Sequence, residues 1–478
     1  MGKPKIGVVA IAKVNHQKDE IGEMVGYLRE RLARETGCEA MIHPDILFEE
    51  CGIADECRRM EAEGADALLL IVGTWVFSSH AISAVNDLHI PFILFGESEE
   101  IANGNFGASI QIRYVLQEMG KNFLYLYGSA RDETNMDRIL KYANAAHVMR
   151  AIRNKKIATI GGKCMMMYQT QVNEFSWKRT FGVDFPQYDT VQVFAEMKNI
   201  SDAEADAVAE EFKKRFDRIV WKYEPTGEHI GDDVFRSQAR MFLAFKRLKE
   251  MYDVEVFANK CMPEMASEVY GYKYAGCIAT CLLNEAGILT ACEADLPAAL
   301  SMLLLSRLSK QKVFFADIAK LSRDKRRITF FNCGTAPVSL ADGSRPVEIW
   351  PNPDATADEG VVVDYMKHGV DKRRGGCVRF DLENGREATI LRVGGNDGTL
   401  RFHVAKALTC PREVRPDEVL GQRWPGFGLE FEGDIDEFIQ KTVGHHYTLC
   451  FGDWSRELEY LAGLYGIGYS CYDGLKKR

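Results

Sequence analysis

The sequence predicts an α/β protein: two doubly wound parallel-sheet domains, the first flavodoxin-like, followed by a β-rich C-terminal domain. Three observations predict this. Residues 1–155 alternate short apolar, β-branched runs with helical repeats, the pattern of strands covered on both faces by helices. A second unit of the same character follows the polar Arg153–Lys156 run and spans 156–320. From 321 to 478 short strand patterns separated by turns take over, which implies antiparallel pairing. At 478 residues the chain also exceeds one ordinary core, so several domains are expected.

In the first unit Ile6–Ile11 reads as a buried strand. Ile21, Val25, Leu28 and Leu32 then recur at helical spacing, and Gly37 closes that helix. Ala67–Val72, Pro91–Phe95 and Phe123–Tyr127 are further strands, with helices through Ile110–Met119 and Met136–Ile152. In the second unit Lys156–Gly161 and Val254–Ala258 read as strands, and Ala203–Phe216 and Val234–Met251 as helices. Leu296–Leu308 reads as an amphipathic helix, and Val313–Phe315 as a short strand ending at Asp317. In the third, Arg327–Phe331, Val361–Tyr365, Cys377–Leu382, Ala388–Val393 and Leu400–Val404 are strands, and Ser455–Leu464 is a helical end.

Composition removes several classes of function. A net charge of −9 argues against nucleic acid as a partner, which calls for a basic stripe. No apolar run approaches the ~20 residues a membrane-spanning helix needs, so no membrane association is expected. The amino terminus lacks the long apolar core of a secretory signal. Thirteen scattered cysteines without a paired CxxC pattern suggest reduced thiols, hence a cytoplasmic location. No GxGxxG follows the first strand and no GxxxxGK[ST] occurs, so a dinucleotide or P-loop site is not expected.

The chemically informative segment runs Ala291-Cys292-Glu293-Ala294-Asp295, then the Leu296–Leu308 helix, then Phe314-Phe315-Ala316-Asp317. A carboxylate before a helix and another at the end of the next strand can converge at one end of a parallel sheet. Such a pair can hold a hard divalent cation, and one member can exchange a proton with substrate. Glu293 and Asp295 could equally serve only to favour a helix amino terminus.

CEADLPAALSMLLL followed by FFAD resembles the signature of the L-fucose/L-arabinose isomerase family. Asn259-Lys260-Cys261-Met262-Pro263-Glu264, Leu282-Leu283-Asn284, Gly73-Thr74-Trp75 and Gly444-His445-His446-Tyr447 carry the same resemblance. It implies a metal-dependent aldose–ketose isomerase that transfers a proton between C1 and C2 through a metal-stabilised cis-enediolate. It implies Glu293 and Asp317 as metal ligands and catalytic groups, Mn²⁺ as the cofactor with Co²⁺ or Mg²⁺ as second choices, and a small-molecule sugar as substrate. It also implies a homo-oligomer, a hexamer or another multiple of three, whose first domain contributes Trp75 to a neighbouring site. The alternative is a catalytically inactive sugar-binding protein or sensor on the same fold.

The third ligand is expected from His445-His446. Adjacent strand residues point to opposite faces, so at most one faces a metal. His446 shares the smaller, more polar face with Thr448 and Cys450 and is the expected ligand. His445 shares its face with Tyr447, Leu449 and Phe451 and reads as core. Its place in the motif also puts it among the substrate-side candidates, with Trp75, Lys260, Glu264 and Asn332. Asn332 stands where many relatives carry histidine, and could offer its carbonyl or bind a sugar hydroxyl.

Overall fold

A computed structural model of the chain describes residues 2–13, 18–99, 104–225, 227–262, 264–266, 272, 274–352, 357–361, 371–373, 375–396, 398–415, 418–431 and 433–473. They divide into two compact units, 1–153 with 456–467, and 154–455 with 468–478. The strand expected at Val361–Tyr365 lies largely outside the described residues.

The first unit is a five-stranded parallel sheet of β1 (Lys5–Ile11), β2 (Glu39–Leu47), β3 (Ala67–Val72), β4 (Phe92–Glu97) and β5 (Leu124–Gly128), in the order β2-β1-β3-β4-β5. That is the flavodoxin-like order. The interior strands β3 and β4 are buried at every residue, as strands covered on both faces must be. The helix Ser455–Tyr465 belongs here through residue 456 onward, its Tyr460 ring lying edge-on to Tyr142 at 5.5 Å. The expectation that this helix ends the β-rich domain is therefore corrected. Its apolar face, Leu458, Leu461 and Ala462, is buried.

Two larger sheets dominate the second unit, beside three smaller ones of two or three strands. A four-stranded parallel sheet comprises β6 (Ile157–Ile160), β7 (Gln187–Tyr188), β8 (Val256–Asn259) and β9 (Thr290–Cys292), ordered β9-β8-β6-β7. The other sheet comprises β10 (Phe314–Ser322), β11 (Arg327–Phe331), β12 (Glu387–Gly394), β13 (Arg401–Cys410), β14 (Gly426–Glu430), β15 (His446–Phe451) and β16 (Gly468–Asp473). Its order is β12-β15-β10-β11-β14-β13-β16, and β12 also pairs with β13. Six antiparallel strands thus close a ring, and β16 adds to β13 in parallel. Phe314, Phe330, Phe427, Phe431, Tyr447 and Leu449 belong to one apolar core with this ring.

Two expectations change here. The strand carrying Asp317 was expected to extend the parallel sheet. It is instead the barrel strand β10, antiparallel to both β11 and β15. A short apolar run reads the same in either setting, so its partners were not legible. The helix Leu296–Ser309 is not amphipathic in its burial: every residue from Leu296 to Leu305 is buried. It packs between β8 and β9 on one side and β12 and β15 on the other, so it has no solvent face to make polar.

Candidate metal centre

Each side chain of the centre is aimed by a local backbone feature. Past β9, Glu293 and Ala294 both adopt left-handed φ, 58° and 53°. Two such non-glycine residues in succession cost of order 1–3 kcal/mol each, strain of the kind that persists where surroundings over-determine it. The turn is held by Ala294 N–H donating to the Asn259 carbonyl at 3.1 Å and Asp295 N–H to the Cys292 carbonyl at 3.2 Å. Asp295 then caps the helix Leu296–Ser309, its Oδ1 accepting from Ala298 N–H at 2.7 Å.

Asp317 and His446 are direct register partners across β10 and β15, so their side chains leave the sheet on the same face. His446 is fully buried, and its Nε2 lies 3.0 Å from Asp317 Oδ1 and 3.1 Å from Glu293 Oε2. Nε2 makes no hydrogen bond to either oxygen. One atom from each of Glu293, Asp317, His445 and His446 falls within 4.8 Å of the others. A buried imidazole nitrogen without a hydrogen bond, facing two carboxylates, is the donor set of a divalent cation bound through oxygen and imidazole. The residues present therefore fit the metal implied above.

Electrostatics within the centre are strong. Burial pushes the Glu293 carboxyl up to about 7, against the pull of His446. Burial opposes charge on His446 too, but Asp317, Asp295 and Glu293 outweigh it and raise the imidazole well above its ordinary value. Asp295 is fully buried as well, yet Arg392 and His446 hold its carboxyl at about 2. Its Oδ2 accepts from His446 Nδ1 at 2.7 Å and from Arg392 Nη1 at 2.7 Å. Arg392 was not among the residues expected at the site. A signal existed, since a lone arginine inside the apolar run Ala388–Val393 must find a partner if buried, and Arg392 is fully buried.

His445 requires a correction. Strand alternation made it a core residue, but β15 begins at His446, so the alternation does not reach back to His445. Its side chain is 41% exposed, its ring centroid is 3.8 Å from that of His446, and its Nε2 is 3.8 Å from Asp317 Oδ1. Gln169 meets its Nδ1 at 3.1 Å. Lys260 follows β8, which is register-paired to β9 through Asn259 and Cys292, so it stands one strand away from Glu293. Lys260 Nζ pairs with Glu264 Oε1 at 2.7 Å, while Glu264 Oε2 is buried without a hydrogen bond. Pro263, between them in the motif, lies outside the described residues. Asn332 is buried, and its Oδ1 accepts from Gly334 N, Thr335 N and Thr335 Oγ1 at 3.1, 2.7 and 2.6 Å. That oxygen is committed to the turn. Trp75 sits in the first unit on the loop after β3, 41% exposed.

An α/β chain with a carboxylate and imidazole centre competent for a divalent cation is the class that fold and site define. No family model matches the chain. It is 24% identical over 366 residues to the sulfoquinovose isomerase of Clostridium sp. (strain MSTE9), covering 73% of this chain and 72% of that one. To the sulfoquinovose isomerase of Alkalicoccus urumqiensis it is 22% identical over 414 residues, covering 84% and 85%. These similarities support a sugar isomerase of the aldose–ketose kind. Among solved structures, a periplasmic solute-binding protein from Actinobacillus succinogenes 130z with bound D-allose matches at 12% identity and a TM-score of 0.18, over 65% of this chain and 93% of that one. That overlap is too low to bear on fold or function. No helix among the described residues is long and apolar enough to cross a membrane.

Proposed function

We propose that this chain is a divalent-metal-dependent aldose–ketose isomerase acting on sulfoquinovose or a close anionic aldose. The observation that carries the reading is the register pair Asp317–His446 with Glu293 brought to the same imidazole nitrogen. The similarity to sulfoquinovose isomerases supports the substrate class.

Glu293, Asp317 and His446 hold the cation, with Mn²⁺ the best match to two hard oxygens and one imidazole. When bound, it supplies positive charge against the negative charge that develops on two neighbouring sugar oxygens. Glu293 takes the proton from C2 and returns it to C1, and Asp317 moves the hydroxyl proton between O1 and O2. Lys260, Glu264 and His445 meet sugar hydroxyls beside the centre. The testing experiment is a ketose-formation screen over sulfoquinovose, glucose 6-phosphate, L-fucose and L-arabinose with added Mn²⁺. Turnover is expected with sulfoquinovose above the others, and no ketose from any aldose contradicts the reading.

The first unit supports assembly. Trp75 and Phe77 on one loop are 41% and 57% exposed, and Phe106, Ile110 and Tyr114 present a second apolar stripe at helical spacing. We expect a homo-oligomer, a hexamer or other multiple of three by sedimentation, in which Trp75 closes over a neighbouring copy's sugar. Trp75→Ala should then raise KM by up to about tenfold, in line with ~0.5–1.5 kcal/mol for one aromatic contact, and leave Mn²⁺ affinity unchanged. A fully active monomer contradicts this.

A further inference from the structure

Arg392 is linked to both histidines of the centre, to His446 through Asp295 and to His445 through Gln169. It is 0% exposed inside a barrel strand, β12, and is separated from Asp295 by 97 residues in sequence. Through Nη1 it donates to Asp295 Oδ2, the same oxygen that accepts from His446 Nδ1. Through Nη2 it donates to the Gln169 carbonyl at 2.9 Å, and the Gln169 side chain meets His445 Nδ1 at 3.1 Å. Its third nitrogen, Nε, is buried without a hydrogen bond. The guanidinium lies against Gly444: a Cβ built there would sit 2.8 Å from Nε, 2.9 Å from Nη2 and 3.0 Å from Cζ. This gives a physical reason for glycine ahead of the two histidines, since any side chain at 444 would displace the guanidinium.

The donors around Asp295 leave its carboxylate no freedom. Oδ1 is taken by the helix through Ala298 N–H, and Oδ2 faces the Arg392 N–H. The only partner Oδ2 can offer His446 Nδ1 is a lone pair, so Nδ1 must carry hydrogen and Nε2 is the nitrogen left for a cation. We propose that Arg392 and Asp295 are positioning residues that select this tautomer of His446, with Arg392 also fixing the Gln169 segment against His445. This rests on the metal-centre reading above.

Asp295→Asn tests it because an amide NH₂ must replace one of the two oxygens. At one position it opposes Ala298 N–H, and at the other it opposes Arg392 and the Nδ1 hydrogen. Arg392→Lys keeps the charge but loses the planar fork that reaches two acceptors. Metal-stripped protein would be titrated with Mn²⁺ by calorimetry. The Cu²⁺-loaded forms would be compared by electron spin echo envelope modulation, where the remote imidazole nitrogen reports the hydrogen bond at Nδ1. The expected result is ~10–100-fold weaker Mn²⁺ binding in Asp295→Asn. A smaller loss is expected in Arg392→Lys, with a shifted remote-nitrogen coupling in both. Folded variants that bind Mn²⁺ within twofold of wild type with unchanged coupling overturn the proposal. Should Asp295→Asn fail to fold, Arg392→Lys decides by the same readouts, and failure of both to fold assigns the pair a purely structural role. Wild-type protein that binds no Mn²⁺ overturns the metal reading instead.

Discussion

Glu293→Gln is expected to fold, to bind sugar, and to lose turnover by ~10²–10⁴-fold, the range for removing a positioned proton-transfer group. Glutamine keeps the volume and the left-handed turn at φ 58°, but its amide cannot take a proton from carbon. With Mn²⁺ saturating, to offset the weaker amide ligand, the loss should fall mainly on kcat, because the missing proton transfer belongs to the transition state. Exchange of the C2 proton with solvent should fall in parallel. If that exchange persists near the wild-type rate, Glu293 is a ligand without a role in proton transfer.

His446→Ala is expected to abolish tight Mn²⁺ binding, a loss larger than the ~10–100-fold that removing a supporting residue produces. It deletes the nitrogen that lies 3.0 and 3.1 Å from Asp317 and Glu293. It also leaves Asp295 buried with one donor fewer, so the metal-free protein should be less stable by ~1–3 kcal/mol. His445→Ala provides the contrast. Its ring is 41% exposed and touches the centre only at 3.8 Å, so Mn²⁺ affinity should change little while KM for sugar rises. Calorimetric titration and thermal melts of the two variants separate the roles. Loss of the metal in His445→Ala with retention in His446→Ala reverses the assignment.

The parallel order of the first unit was legible because buried strands alternating with helices admit few arrangements. The strand setting of Asp317 was not. Phe314-Phe315-Ala316-Asp317 is equally apolar whether parallel neighbours or barrel partners cover it, and only pairing with β11 and β15 distinguishes the two. Glu293 and Asp317 were legible only as two carboxylates flanking a helix, and it was the family resemblance that marked them and the His445-His446 pair as candidate ligands. What brings them together was hidden, because the strand register and the paired left-handed residues at 293 and 294 have no signature in an Ala-Cys-Glu-Ala-Asp run. Alternation misled at His445, where the strand has not yet begun. Arg392 left a trace in composition, a charge inside an apolar strand, but its partner is 97 residues away.

Proton transfer at C2 is proposed to require a cation held by Glu293, Asp317 and His446. The most direct measurement follows deuterium from D₂O into the ketose by mass spectrometry, using sulfoquinovose with metal-stripped protein before and after addition of Mn²⁺. No ketose and no label are expected without metal, and both on adding one equivalent of Mn²⁺ per chain. Ketose formed at an undiminished rate by rigorously metal-free protein would contradict it.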